Sequence, residues 1–428
     1  MQIAQLVGVL VVFFTAIFII MKKIAPTVLV LPVMAVLIAA VAGVPLFTGK
    51  FTIFKDVLEA GSMKIASGMA GLIFGGWFAH VLTKTGITKG IIRKAAELAG
   101  DKPFAIAMVF TVVIAFIFAS ASGLGITILV GSIVMPIMIT AGLSPLTSAI
   151  ILLTSAGMGT SFNFVEFAIY QSVLGMDIAT ITHYAWMAGV PVILVGGAMI
   201  IWRVLREKKV TKAWAMPADV DLEINSEKNV RSIALISPII PVILVFFFKV
   251  TLVPSCMIGI VCALLLTTPR KPLHVLSSAL IEGIQNTAGA LALMIGIGML
   301  LVAVSSPQVS GTLMPLMNAI SPKNPLMYII VFSILCPLAI YRGPMNVWGL
   351  GSGVIALFVA SGMNPITVFV GMHLCRNVQY ICDPTNTHTV WASDFNKIDV
   401  IEITKSTMPW IVASAVLGFI FTSFLLPF

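Results

Sequence analysis

Arg342 and Arg376 each stand in a stretch of the chain apolar enough to lie inside a bilayer. An ionised side chain at membrane depth costs about 2.5 to 3.5 kcal/mol on insertion scales, so one that persists needs a partner or a function. A guanidinium is a planar fork that meets a carboxylate through two parallel hydrogen bonds, which makes this pair a candidate anion site. Gly343 and Asn346 flank the first arginine, and Asn377, Asp383, Thr385 and Asn386 follow the second. The first half of the chain holds two further clusters of small polar residues: Ser120, Ser122, Gly123 and Gly125, then Gly157, Thr160, Ser161 and Asn163. Hydroxyls and amides can ligate an ion, and glycines let backbone approach a ligand, yet the same residue types also pack membrane helices closely. Only their position in the architecture separates these readings. Asp383 and Glu166 are the proton-coupling candidates, because burial favours the neutral form of a carboxyl. For Arg342 and Arg376 the alternative is a structural pairing with Asp383 or a place near the headgroups, and for Glu166 a place near the outer interface. His373 and His388 are expected to be hydrogen-bonded packing residues.

The elements that must position these residues follow from composition. The chain has 428 residues, 59% hydrophobic and 10% charged, against about 25% charged in soluble domains. Apolar runs of about 20 residues, enough to span a bilayer core, recur from end to end. The expected class is an all-α polytopic membrane protein. The net charge of +9 reflects basic loops between spans and not nucleic-acid binding. No phosphate-binding glycine loop, His-Glu-x-x-His run or nucleophile with a base appears, which argues against ATP drive, against an enzyme and against a metal or other cofactor.

Spans are expected near 3–21, 25–44 and 65–83, followed by a polar helical stretch at 84–102. Legs at 103–121 and 126–141 around Ser120 to Gly125 read as a re-entrant hairpin. A span broken at 157–163 and another at 184–202 close the first half. A charged linker over 206–231 separates it from a second half that repeats the plan. That half has spans near 232–250, 252–267 and 274–304, a polar connection, and a hairpin of legs 325–341 and 347–361. A span interrupted at 376–386 and a last one at 408–427 follow. The halves align at an offset of about 220 residues: Gly142-Leu143-Ser144-Pro145 answers Gly362-Met363-Asn364-Pro365, Gly131 answers Gly351, and Gly123 answers Gly343. One match would be chance; a series in order is not.

The domains are therefore 1–205, 206–231 and 232–428: two repeats of five transmembrane helices and one re-entrant hairpin, with broken helices at the midplane, joined by the linker. Five crossings invert the second repeat. With Lys22 and Lys23 inside, all but seven of the 25 Lys and Arg are cytoplasmic. Lys50, Lys55, Lys64, Lys249 and Lys323 lie outside, and the two arginines lie in the membrane. This obeys the positive-inside rule and puts both termini outside.

On the tip Ser120 to Gly125, the run Gly142 to Pro145 leading into Ser155-Ala156-Gly157-Met158-Gly159-Thr160, and their second-half counterparts, the chain resembles the ion transporter superfamily of citrate and gluconate permeases and divalent-anion symporters. The resemblance implies a secondary transporter in the cytoplasmic membrane, with one tip and one break from each repeat around a midplane site. It also implies a homodimer. The expected activity is symport of a small organic anion, a carboxylate such as gluconate, citrate or a dicarboxylate. A cation/proton antiporter or an inorganic-anion transporter of the same fold is the alternative. The tips read Ser122-Gly123-Leu124-Gly125 and Arg342-Gly343-Pro344-Met345-Asn346 where dicarboxylate symporters carry Ser-Asn-Thr. This tilts coupling from sodium toward protons. A cysteine placed at Asn225 should stay unlabelled by an impermeant thiol reagent in intact cells and react after permeabilisation; labelling without permeabilisation would put the linker outside.

Overall fold

The computed structural model describes residues 2–22, 24–100, 102–207 and 230–428, so most of the expected 206–231 linker lies outside the described residues. Each half builds nine α-helices of eight residues or more. The first half holds α1 (Gln2–Met21), α2 (Thr27–Val41), α3 (Ala66–Lys84), α4 (Ile87–Ala99), α5 (Pro103–Ser120), α6 (Leu124–Thr140), α7 (Pro145–Thr160), α8 (Phe164–Leu174) and α9 (Ile178–Arg206). The second holds α10 (Ile239–Phe246), α11 (Leu252–Thr267), α12 (Pro272–Ser305), α13 (Pro307–Ile320), α14 (Pro325–Leu335), α15 (Gly351–Ala360), α16 (Pro365–Cys382), α17 (Thr387–Asn396) and α18 (Val400–Ser423). Six helices are long and apolar enough to cross a membrane, or eight if each bent pair is one span.

The two halves are built by the same start signals. A cap followed by proline opens α7 and α16: Ser144 Oγ accepts from Thr147 N at 3.2 Å, and Asn364 Oδ1 from Ile366 N at 3.0 Å. Asn163 and Asn386 cap the half-helices α8 and α17, and Asp177 and Asp399 cap α9 and α18. Proline at the first turn lacks a donor that would be unpaired there anyway, and a short polar cap satisfies the donors that remain. Within the hydrocarbon these caps replace water, so a helix can stop and restart at membrane depth.

Packing between the halves is reciprocal. Helix α12 packs on α2 as α3 packs on α11, α8 on α15 as α17 on α6, and α9 on α16 as α18 on α7. Helices α3 and α12 cross with Gly76 against Gly283, where a Cβ on Gly283 would come within 2.9 Å of Gly76 backbone. Lys84 of α3 also pairs with Glu282 of α12 at 2.7 Å. The outer face of α1 presents Ile3, Val7, Val11, Phe14 and Phe18, all exposed, as a lipid-facing side would.

Three expectations change. The segment expected as a polar connection before the second hairpin holds helix α13, which bends by 107° into the helix that follows and answers α4 of the first half. The span expected at 232–250 is a 3₁₀ turn, Ser232–Ile236, followed by the eight-residue α10. At about 1.5 Å per residue α10 reaches only some 12 Å. Pro238 and Pro241 break the run, and Lys249 takes φ 52° as Val250 N returns to Leu244 O. The span expected at 65–83 continues back through a π-helical stretch, so helix runs from Ile53 to Lys84.

A close helix approach lies at the first hairpin, where a Cβ on Gly159 of α7 would sit 2.1 Å from Ala115 O of α5. Backbone cannot yield as a side chain can, and overpacking typically costs about 1 to 3 kcal/mol. Gly159→Ala should lower the melting temperature in detergent. Gly197→Ala, where a Cβ meets nothing within 4 Å, should leave it unchanged. Equal behaviour of the two would refute this packing.

Candidate functional site

A cavity of about 690 Å³ opens where both hairpin tips and the second helix break converge. Ser122, Gly123 and Leu124 come from the first tip, Tyr341, Arg342 and Trp348 from the second, and Gln379, Tyr380 and Thr385 to His388 from either side of the break between α16 and α17. The beginning of α2 and Asn286, Thr287 and Leu293 of α12 complete the wall.

At the first tip, α5 ends at Ser120, whose hydroxyl donates back to Ile117 O at 3.1 Å. Ala121 is extended, and Gly123 takes φ 107° and ψ 167°, a conformation reserved for glycine. Helix α6 then begins without a side-chain cap. Gly123 and Leu124, at its start, line the cavity, so the positive end of the helix dipole lies at its wall.

The second tip is tighter. Tyr341 and Arg342 both adopt left-handed backbone, φ 55° and 54°, and Gly343 N donates to Ile340 O at 3.1 Å. Two such non-glycine residues in succession store about 1 to 3 kcal/mol each and persist only where surrounding structure fixes them. The fixing residue is Asn346, fully buried. Its Oδ1 accepts from Trp348 N at 2.9 Å, and its main-chain oxygen accepts from Gly349 and Gly351 at 2.9 and 2.8 Å. Arg342 donates only a long 3.4 Å bond to Trp348 O, leaving the rest of its fork free for the cavity.

At the second break, Asp383 Oδ1 accepts from Thr385 N at 2.8 Å and from Thr385 Oγ1 at 2.7 Å. Asn386 Nδ2 donates to Tyr380 O at 3.0 Å, so its Oδ1 is free to accept from His388 N and, at 2.7 Å, from His388 Nδ1. The His388 ring stacks on Tyr380 with centroids 5.1 Å apart. The first break is tied inward. Asn163 Nδ2 donates to Phe118 O at 2.8 Å, Ser161 Oγ donates to Asn377 Oδ1 at 2.7 Å, and His373 Nε2 donates to Ser161 O at 3.0 Å.

The charged side chains show the largest departure from expectation. Arg376 is buried and does not line the cavity. Its Nε donates to Glu166 Oε2 at 2.7 Å, its Nη2 reaches the same oxygen, and its guanidinium lies 5.4 Å from the Tyr380 ring centre. Asp383 is not its partner. Glu166 is a buried carboxylate with one edge on the cavity.

Of the residues singled out by sequence, Ser122, Gly123, Glu166, Arg342, Thr385 and Asn386 meet around the cavity. Gly125 lies beside it against Asn286, in a small pocket with His80. Ser120, Gly157, Thr160, Ser161, Asn163, Gly343, Asn346, Arg376, Asn377 and Asp383 build the breaks and tips behind the wall. Tyr341, Trp348, Gln379, His388 and Asn286 line the cavity and were not expected there. Asn286 and Gln379 carry a readable signal, since an amide amid an apolar span is rare without a purpose. Among the described residues the charged lining is Arg342 and Glu166 alone.

Removing one partner of a buried ion pair leaves an uncompensated charge and costs about 3 to 5 kcal/mol, whereas removing both is far milder. Arg376→Gln should therefore sharply destabilise the protein, and the double variant Glu166→Gln with Arg376→Gln should recover most of the loss. A double variant as unstable as the single would refute the pair; thermal melting in detergent reads the difference.

Residues 7–425 match the family described as "Tripartite ATP-independent periplasmic transporter, DctM component". No curated protein matches the chain. Among solved structures it is similar to the YdaH transporter of Alcanivorax borkumensis, with TM-score 0.61 and 12% identity, covering 93% of this chain and 96% of that one. It is also similar to MtrF of Neisseria gonorrhoeae, described with a class of antimetabolite efflux pumps, with TM-score 0.59 and 13% identity, covering 94% and 95%. At such identity these two speak to the fold alone.

Proposed function

We infer the function from one premise: the chain belongs to the DctM family of tripartite ATP-independent periplasmic transporters, and so is a membrane transporter component and not an enzyme. On this reading it carries a small organic anion, a carboxylate, across the cytoplasmic membrane by symport, drawing on a proton or sodium gradient. A periplasmic binding protein delivers the solute, and a small membrane component completes the assembly. The ion transporter superfamily kinship, the homodimer and the inversion of the second repeat belong to the same reading. The reciprocal contacts between the halves support the inversion.

One observation carries the proposal. The guanidinium of Arg342, held only by its long bond to Trp348 O, and two helix N-termini, those of α6 and α17, converge on a cavity whose carboxylate, Glu166, is paired through one oxygen with Arg376. Helix amino ends and an unpaired arginine favour an anion, as do the discontinuous helices of other transporters. A cation-only site has little use for Arg342. For coupling, protons have Asp383 and Glu166. Sodium has the oxygens of Ser120, Ser122, Thr385, Asn386 and the unwound backbone.

The cavity reaches Ala25 to Val28, close in sequence to Lys22 and Lys23, which the positive-inside rule assigns to the cytoplasm. On this reading the site opens inward, and Arg342 meets solute on that side before release. In proteoliposomes holding all three components, Arg342→Lys should reduce uptake at least tenfold, because an ammonium keeps the charge but loses the fork. Near-normal uptake would remove Arg342 from the site. Separate sodium and proton gradients identify the driving ion, and uptake unaffected by either would overturn symport.

A further inference from the structure

The charge and hydrogen-bonding pattern of the cavity narrows the substrate further, given that the cavity is the carboxylate site argued above. We infer that it takes a monocarboxylate carrying hydroxyl groups and discriminates against dicarboxylates, with Glu166 as the residue that sets this preference.

Two membrane arginines in the sequence suit a dianion. The folded chain offers one. Both bonds from Arg376 end on Glu166 Oε2, so the second guanidinium is engaged and withdrawn behind the wall. Arg342, on the second tip, is the one cationic side chain lining the cavity among the described residues.

Glu166 itself does more than cancel Arg376. It stands in the first turn of α8, on a different element from Arg342, and lines the same cavity. Its Oε1 accepts no hydrogen bond within the protein and is not sealed from the cavity. A carboxylate oxygen with open lone pairs accepts from a hydroxyl and repels a second carboxylate, an interaction that the low dielectric of a membrane site strengthens. Most of the remaining polar lining, Ser122, Asn286, Thr287, Gln379, Thr385 and Asn386 among it, is amide or hydroxyl, and His388 already donates to Asn386 Oδ1. Such groups exchange hydrogen bonds with hydroxyls but cannot neutralise another charge. A site built to bond hydroxyls also disfavours an analogue lacking them, because its buried polar groups are then left unpaired.

Three six-carbon acids separate the possibilities: gluconate, with one carboxylate and hydroxyls; glucarate, with two carboxylates and hydroxyls; and adipate, with two carboxylates and none. Binding to the full chain in detergent at pH 7 is read as ligand-dependent thermal stabilisation, which rises with concentration over Kd. Gluconate should stabilise the protein at concentrations at least tenfold lower than glucarate, with adipate weaker still. Glu166→Gln should narrow the gluconate-to-glucarate ratio severalfold, and Glu166→Gln combined with Arg376→Gln should do the same if the single variant folds poorly. Glucarate or adipate binding as tightly as gluconate would overturn the inference while leaving a carboxylate site in place. A ratio unchanged in both variants would remove Glu166 as its cause. Stabilisation by none of the three acids would overturn the carboxylate reading itself.

Discussion

Inside hydrocarbon no backbone N–H or C=O can be left without a partner, and much of this structure answers that constraint. A transporter of this design needs helices that stop at membrane depth, and every stop exposes donors and acceptors that water would otherwise satisfy. Asn163, Asn386 and Asp383 are placed where the chain unwinds, and each bonds backbone in its own vicinity or in the facing hairpin. Asn346 does the same for the second tip. Polar residues that look like ligands in the sequence are thereby largely engaged in keeping the ligand-binding backbone in shape.

The Glu166–Arg376 pair follows from the same constraint at the level of charge. It joins the half-helix after the first break to the helix before the second, residues 210 apart in sequence, so the two halves share one buried electrostatic bond near the site. Tyr380 lies over the guanidinium and stacks on His388, which bonds Asn386. The rigidity of the second break and the neutrality of the first are therefore aspects of one network. Such networks are stable when every member is satisfied and fragile when one is lost.

Much of the architecture was legible in the sequence because membrane length and start signals are local properties. Hydrophobic runs gave the spans, and the small polar runs gave the first tip and both breaks. The matched Ser144-Pro145 and Asn364-Pro365 starts gave the two-part plan. The misses have physical causes. Helix α13 mixes polar and apolar residues and so reads as a loop. Helix α10 sits in a run apolar enough to span, but Pro238 delays its start and the chain turns back at Lys249. The partner of Arg376 was missed because Glu166 is remote in sequence, whereas Asp383 is near. Sequence distance says nothing about which carboxylate a long guanidinium arm reaches after two repeats have folded together. The cavity lining contributed by α12 was passed over for a related reason: Asn286 is an amide amid an apolar span, but it belongs to an element outside both tips and both breaks.

The left-handed pair at the second tip bears on how such a protein could be improved. Glycine adopts φ near +55° without the steric penalty that Tyr341 and Arg342 bear. A library selected only for expression or heat resistance would accordingly enrich glycine at 341 and 342, and with it the loss of the guanidinium that lines the cavity. Selection for yield and selection for turnover pull this turn in opposite directions, and a screen that ignores turnover would purify a better-behaved molecule that no longer works.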